Sequence, residues 1–258
     1  MFKAANGNKL ILAPIDLTKP HLHILDIGTY DGTFLVDLSN NFIPSSARQT
    51  DSILGIDLFD AHFPAHPSEG MRFQIQNFLE PWPQELLGSF DLVHQRLMLA
   101  GAGRNTRANL TQTLRLVKPG GWIQLVEAEQ AIGPNDGPAM QQFLLLMGEL
   151  FGFIGVPMTY AHELAQWLEE EGFEEVETRV VPIPYGCRQP DAELREKGYS
   201  SMSVGLQGKL KHTKMIPGGL KSLDAAELEM LAPRLIKEME ERGAEYVMRY
   251  AWGRKPVA

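Results

Sequence analysis

The sequence lacks the features that mark several classes of protein. It contains a single cysteine, Cys187, among 258 residues, so no intrachain disulfide can form and a reducing compartment is expected. Its most apolar stretch, 143–158, is interrupted by Glu149 and three glycines and falls short of the ~18 apolar residues of a membrane span. The N-terminus shows no targeting signal. We expect a cytoplasmic protein that makes no membrane contact.

Basic residues are also few, with 24 Lys and Arg against 32 Asp and Glu, which gives a formal charge of −8. The electrostatic field of a protein with this net negative charge repels phosphate groups, so a nucleic-acid partner is not expected. The seven histidines show no metal-ligand spacing, and there is no Gly-x-Ser-x-Gly nucleophile elbow. The sequence therefore predicts no metal site, and it leaves a small molecule as the expected partner.

Short apolar runs alternate with helix-like segments along the chain. Seven strands are predicted, at 22–27, 52–57, 71–76, 90–94, 122–127, 174–183 and 245–253. The intervening helices are predicted at about 32–40, 106–117, 139–153, 160–171 and 225–242. This alternation indicates an α/β fold with a doubly wound, mostly parallel, seven-stranded Rossmann-like sheet.

We expect a single domain over 1–258, with an N-terminal arm at 1–20. Two segments interrupt the alternation, at 137–160 and 186–223. The first contains a helix that is apolar on most of its surface, and the second is a long stretch rich in Gly, Ser and Lys. Long insertions of this kind are usually lids or disordered segments, so both are predicted to cover the substrate as a helical lid.

A glycine-containing turn, Asp26-Ile-Gly28-Thr29-Tyr30-Asp31-Gly32, follows the first predicted strand. Doubly wound sheets bind their ligands at this kind of position. A dinucleotide fingerprint requires glycines at 28, 30 and 33, and it fails here. Asp26 can accept a hydrogen bond from an ammonium group, Gly28 allows close backbone approach, and the helix after Gly32 favours a carboxylate. A ligand that carries both groups is an amino acid or a derivative of one.

This turn resembles that of the class I S-adenosylmethionine (SAM)-dependent methyltransferases. Further motifs follow in the family's order: Asp57 matches the acid that binds the ribose hydroxyls, and Asn77-Phe78 matches the segment that contacts adenine. Segments 90–96 and 116–122 resemble the fourth-strand motif and the turn into the fifth strand. The resemblance covers about 20–130 and implies SAM as cofactor and S-adenosylhomocysteine as product. The cofactor residues that it implies are Asp26, Gly28, Thr29, Tyr30, Gly32, Asp57, Leu58, Asn77, Phe78 and His94.

Two residues depart from the family pattern. Tyr30 replaces the middle glycine, as an aromatic residue does in methyltransferases of the catechol and caffeoyl type. Asn77 stands where an acid is common, and its amide oxygen can still accept from the adenine amino group. A looser resemblance at 94–96, 126–127 and 250–254 links the chain to fungal secondary-metabolite methyltransferases, including regulator-type members.

His94 is the candidate catalytic residue. At the end of the fourth predicted strand it could act as a general base near the reactive methyl, or it could be a structural histidine bonded to a neighbouring group. Arg96, Glu127, Tyr160 and His162 are the candidate substrate-binding residues. The alternatives are an ion pair between Arg96 and a carboxylate such as Glu127, and an exposed helical turn at Tyr160 and His162.

The resemblance therefore predicts O- or N-methylation of a small molecule in secondary metabolism. Two alternatives stay open. The same fold could catalyse a cyclisation, a pericyclic step or an elimination, with SAM bound or absent. It could also serve a non-enzymatic regulator that works by binding a partner. The oligomeric state is open as well, with a homodimer among the alternatives.

Overall fold

The computed structural model describes residues 1–129, 133 and 136–257. Its strands are β1 (His23–Ile27), β2 (Ser52–Asp57), β3 (Met71–Ile75), β4 (Phe90–Arg96), β5 (Val117–Ala128), β6 (Glu174–Tyr185) and β7 (Ala244–Arg254). They form a seven-stranded sheet in the order β3-β2-β1-β4-β5-β7-β6. The predicted α/β fold is confirmed.

Strands β1 to β5 run parallel, with β1 between β2 and β4. The register pairs Ile27 with both Ile56 and Gln95, so the carboxyl ends of these strands meet at one edge. The chain order reverses about β1, where the connections of β1 and β4 diverge. Ligands of open α/β sheets bind at such a switch point, outside the carboxyl ends of the strands.

Strand β7 runs antiparallel to β5. The N–H of Gly120 donates to the carbonyl of Lys255 and the N–H of Lys255 donates to the carbonyl of Gly121, whereas the N–H of Glu129 donates to the carbonyl of Val247. Residue numbers thus rise on one strand as they fall on the other. The sheet is mixed, with its parallel strands on one side, as predicted.

The α-helices are α1 (Phe2–Ala5), α2 (Thr33–Phe42), α3 (Ser45–Arg48), α4 (Thr106–Leu114), α5 (Pro138–Ile154), α6 (Leu164–Glu170), α7 (Ala192–Thr213) and α8 (Ala225–Glu241). Short 3₁₀ segments lie at Gln84–Leu86, Leu99–Asn105, Tyr160–Glu163 and Gly186–Arg188. None of the helices in the described part of the chain is long and apolar enough to cross a membrane.

Helix α7 is the main secondary-structure element that the sequence reasoning did not identify. It occupies most of the 186–223 segment, for which no helix was predicted because Gly and Ser weaken the helical pattern. The missed signal is local: the Asp191 carboxylate caps the helix by accepting from the N–H of Leu194, at 2.9 Å. An ion pair between Glu193 and Lys197, four residues apart, further stabilises the N-terminal part of this helix.

The chain divides into two compact units. We call the first the helical unit (Met1–Asn8, Ala128–His162 and Val180–Met248) and the second the sheet unit (Lys9–Glu127, Glu163–Arg179 and Arg249–Ala258). The prediction of a single domain stays a prediction.

The core of the sheet unit consists of aliphatic side chains on neighbouring parallel strands. They are fully buried on both faces, which is why these strands read as continuous apolar runs. The central members are Ile24, Leu25, Leu54, Ile56, Leu92, Val93, Ile123 and Leu125. This packing fixes the strand ends that carry the polar residues of the candidate site.

In the helical unit, helices α5 and α8 pack together and a carboxylate joins them. Glu238 of α8 accepts from the N–H groups of Ala139 and Met140, at 2.8 and 3.0 Å, and so caps the first turn of α5. Helix α8 begins with a capping box between Asp224 and Glu227. Buried carboxylate contacts therefore define where α5 begins.

Candidate functional site

The turn between β1 and α2 has three residues with left-handed backbone. Gly28, Tyr30 and Gly32 have φ of 75°, 53° and 72°. The N–H groups of Gly28 and Thr29 both donate to the carbonyl of Ile56, at 2.9 Å, which ties the turn to β2. The left-handed conformation is intrinsically unfavourable for a tyrosine by roughly 1–2 kcal/mol. The backbone shape expected of a glycine at position 30 is thus kept by Tyr30.

The two glycines of this turn also accommodate side chains from elsewhere in the sheet unit, one that follows β4 and one on β3. A Cβ atom at Gly28 would collide with the Sδ atom of Met98, and one at Gly32 would lie 2.6 Å from the ring of Phe73. Both contacts fall well inside van der Waals distance, so a side chain at either position would require Met98 or Phe73 to shift. Sequence reasoning missed Met98, for which no sequence pattern gave a signal.

Asp57 ends β2 beside this turn. Its Oδ2 atom accepts from the N–H of Tyr30 at 2.9 Å, and its Oδ1 atom accepts from the N–H of Leu58 at 2.7 Å. Each carboxylate oxygen keeps a further lone pair for a ligand hydroxyl. Leu58 is half exposed, as a contact surface for an adenine ring requires.

Asn77 and Phe78 follow β3, at the same carboxyl edge. The Asn77 Oδ1 atom accepts from the N–H of Leu79 at 3.0 Å, and the Phe78 carbonyl accepts from the Asn109 side-chain amide at 2.7 Å. These bonds fix the backbone of the segment that was predicted to contact adenine. The sheet unit therefore brings the predicted cofactor residues to the carboxyl ends of β1, β2, β3 and β4.

His94 is enclosed in the sheet unit. Its side chain is only 2% exposed, its Nδ1 atom lies 2.7 Å from Oδ1 of Asp26, and its ring stacks on Phe34 with centroids 3.9 Å apart. Burial lowers the pKa of His94; the hydrogen bond and charge of Asp26 oppose this effect, and the charge of Arg96 adds to it. The neutral imidazole then donates its Nδ1 proton to the Asp26 carboxylate. This geometry suits a histidine that holds Asp26 in place.

Arg96 and Glu127 also lie in the sheet unit. The Arg96 guanidinium lies 5.9 Å from the ring centroid of Phe34. Glu127 is fully buried, and its Oε1 atom accepts from the N–H groups of Met98 and Leu99, at 3.1 and 3.0 Å. Glu127 thereby fixes the chain just after β4, including the methionine that touches Gly28. Substrate contact by Arg96 and Glu127 stays a prediction.

Gln124 was not predicted and has a structural role. It is fully buried on β5, its Oε1 atom accepts from the N–H groups of Leu12 and Ala13, and its Nε2 atom donates to the carbonyl of Leu10. One side chain therefore pairs three backbone groups of the N-terminal arm, more than 100 residues away in the sequence. A contact over that distance leaves no local pattern.

The two remaining substrate candidates lie in the helical unit. Tyr160 is 1% exposed, with its ring centroid 6.1 Å from that of Phe151. His162 is half exposed, and its Nε2 atom lies 3.6 Å from Oε1 of Glu129. Tyr160 is thus a core residue of its unit, and the His162 ring lies beside the Glu129 carboxylate. Their predicted contact with substrate stays a prediction.

The sheet order, the left-handed glycine turn at the switch point and the acid that ends β2 define a Rossmann-like protein with a site for a nucleoside-containing cofactor. Residues 4–178 match the family model described as a methyltransferase domain. The chain belongs to this methyltransferase family, and it is a SAM-dependent methyltransferase.

Three comparisons illustrate the relationship. The chain is 34% identical over its whole length to N-methyltransferase sirN of Leptosphaeria maculans, covering 89% of that protein. It is 31% identical to N-methyltransferase gliN of Aspergillus fumigatus, over 96% of this chain and 88% of that protein. A Haemonchus contortus phosphoethanolamine N-methyltransferase, solved with S-adenosylhomocysteine, has the same fold: TM-score 0.52, 13% identity and 95% of this chain covered. The chain spans about half the length of that structure.

The site residues fit the SAM family's cofactor. Gly28 has left-handed backbone and no side chain in the turn that Asp57 borders, and Asp57 has carboxylate oxygens with lone pairs left after two backbone bonds. The N-terminus of α2 follows directly at Thr33 and favours a carboxylate group. These features accommodate the amino-acid half and the ribose of such a cofactor.

Proposed function

We propose that this protein transfers the methyl group of SAM to a nitrogen atom of a small molecule in secondary metabolism. The proposal rests on family membership together with the geometry of one residue, His94. Two relatives, sirN and gliN, are named N-methyltransferases. Secondary metabolism is the setting that the sequence resemblance implies. The bound cofactor supplies an electrophilic methyl group on a sulfonium sulfur.

Asp57 would hold the ribose hydroxyls, because its carboxylate is fixed at the end of β2 by two backbone N–H groups. Gly28 and Gly32 would face the amino-acid half, and the backbone at Asn77 and Phe78 would meet adenine. Thr29, Tyr30, Leu58 and Asp26 surround these groups in the same unit. Fixed groups of this kind align the acceptor with the methyl, and alignment alone lowers a barrier by several kcal/mol.

The enclosure of His94 is the observation that favours nitrogen over oxygen. A neutral amine attacks with its own lone pair and gives up its proton afterwards, whereas a hydroxyl needs a base during the attack. His94 is the base that the sequence predicts, and it is closed in between Asp26 and Phe34 with a lowered pKa. An amine acceptor removes the need for it.

The cofactor part of the proposal is tested by calorimetry with SAM and S-adenosylhomocysteine. Asp57→Asn should weaken binding about tenfold to a hundredfold, because a charge-assisted hydrogen bond to a hydroxyl contributes roughly 1.5–3 kcal/mol. The exposed neighbour Asp60 provides the matched control, and Asp60→Asn should bind normally. No binding by the unmodified protein at millimolar ligand contradicts the proposal.

The acceptor part is tested with pairs of small molecules that share a skeleton and differ in an N–H or O–H group. Methylated product should form from the amine member of each pair, as followed by mass spectrometry. Methylation of the hydroxyl member alone contradicts N-methylation. Binding of SAM without consumption by any acceptor favours the alternatives of a non-methylating reaction or a regulator.

A further inference from the structure

The connection between β2 and β3 has an unusual form. Parallel neighbours are normally joined by a crossover that contains a helix. Here residues 58–70 join the two strands with neither a helix nor a strand. We call this segment the strap. Because it starts directly after Asp57, it begins at the residue that would hold the cofactor ribose.

Three consecutive residues of the strap lie against the glycine turn or against β3. The ring centroid of His62 is 4.3 Å from that of Tyr30, and the ring centroid of Phe63 is 5.4 Å from that of Phe73. The Cγ atom of Pro64 lies 3.3 Å from the point where a Cβ atom of Gly32 would be. The strap thus crosses the turn that forms the candidate cofactor site.

Tyr30 is fixed on its backbone side. Its N–H donates to Asp57, and its backbone is left-handed, with a φ of 53°. The ring is nevertheless 56% exposed, and His62 is exposed as well. An exposed ring pair is a weak contact that can open and close.

We propose that the Tyr30–His62 pair fastens the strap over the amino-acid end of the bound cofactor, so that His62 is a positioning residue that slows cofactor release. This inference rests on the proposed function, because it assumes that the cofactor lies between Gly28 and Asp57. Tyr30 follows Gly28 by two residues and its N–H is bonded to the Asp57 carboxylate, so a ligand that contacts both Gly28 and Asp57 passes close to Tyr30. Opening of the ring pair then frees that side of the ligand.

His62→Ala removes the fastening. In the protein without ligand, the strap amides should exchange with deuterium about two- to tenfold faster, the range expected for the loss of one aromatic pair. S-adenosylhomocysteine should dissociate faster by a similar factor in stopped-flow displacement. The KM for SAM should rise while kcat stays constant or increases.

Two variants supply the controls. His62→Phe keeps a ring opposite Tyr30 and should restore the slow dissociation. His66→Ala alters an exposed histidine of the same strap and should leave both rates unchanged.

An unchanged dissociation rate in His62→Ala overturns the inference, and so does a failure of His62→Phe to restore the slow rate. Faster exchange of the strap without faster dissociation also overturns it, because His62 would then act on the strap alone. Absence of S-adenosylhomocysteine binding in the unmodified protein contradicts the proposed function itself, and this inference with it.

Discussion

Replacement of His94 by phenylalanine should destabilise the sheet unit strongly. The two side chains have similar size and the new ring can still stack on Phe34, so packing changes little. The variant loses the 2.7 Å hydrogen bond to Asp26, a residue that is only 3% exposed. The neutral imidazole donates to a buried carboxylate, and loss of a hydrogen bond to a charged group costs about 1.5–3 kcal/mol because the carboxylate oxygen is left without its donor.

The assay is thermal unfolding of the full chain followed by circular dichroism. A loss of 1 kcal/mol lowers the melting temperature of a protein of this size by about 2–4 °C, so His94→Phe should lower it by roughly 3–12 °C. His94→Asn can still donate to Asp26 and should lose less. The double variant His94→Phe with Asp26→Leu removes the stranded carboxylate and should recover part of the loss. A melting temperature unchanged in His94→Phe refutes the reasoning.

The same variants separate the two roles considered for His94. If His94 holds Asp26, His94→Asn should keep most of the turnover, and any loss should follow cofactor affinity and stability. If it is a general base, His94→Asn should lose at least a hundredfold in kcat while S-adenosylhomocysteine binds normally. We expect the first result. The second would assign catalysis to His94 and weaken the argument for an amine acceptor.

Three further predictions follow from single contacts. Gly28→Ala should abolish or greatly weaken S-adenosylhomocysteine binding in calorimetry. Gly88 is the control, because it has the same left-handed backbone but nothing lies within 4 Å of its Cβ position. Gly88→Ala should lose only about 1 kcal/mol of stability and bind normally. Gln124→Leu leaves three arm backbone groups unpaired and should destabilise the protein by about 2–5 kcal/mol, with faster hydrogen exchange at residues 10–13; unchanged exchange there contradicts the assigned role. Burial raises the pKa of Tyr250 to about 12 from 10.0, so the unfolded chain loses this proton at lower pH than the folded protein does. The free energy of unfolding should therefore fall between pH 10 and 12, by up to about 2–3 kcal/mol. Tyr250→Phe should show a smaller fall in denaturant titrations, and a pH profile identical to that of the unmodified protein argues against the shift.

Much of the secondary structure was predictable because its signals are local. The predicted strand at 52–57 coincides with β2, and the predicted ends of the strand at 71–76 and of the helix at 225–242 differ from the structure by one residue. Apolar runs of this kind have one stable placement, inside a sheet covered on both faces. The helix predicted at 106–117 instead ends at Leu114, because β5 begins at Val117 and takes Pro119 into the strand. Strand pairing outweighed the local stop signal there.

The candidate site was predictable in part. The glycine turn and Asp57 follow strand ends, so chain order alone assigns them to one edge of the sheet. The contacts of Met98 with Gly28 and of His62 with Tyr30 were not predictable, because neither has a sequence pattern that names its partner. No helix was predicted between the strands at 52–57 and 71–76, but the contact of the strap with the glycine turn is visible only in the tertiary structure.

The sequence by itself determined the fold class, the order of the motifs along the chain and the presence of a glycine turn that resembles that of SAM-dependent methyltransferases. These features depend on residues that are close together in the chain. Tertiary structure alone decided the environment of each polar group. His94 lies near the carboxyl end of β4, at the edge that the sequence assigns to the site. Its partner Asp26, however, lies 68 residues away, and the His94 ring stacks on Phe34. Whether a histidine is a base or a fixed support is set by its solvent access and its hydrogen-bond partners, which form only when distant segments pack together.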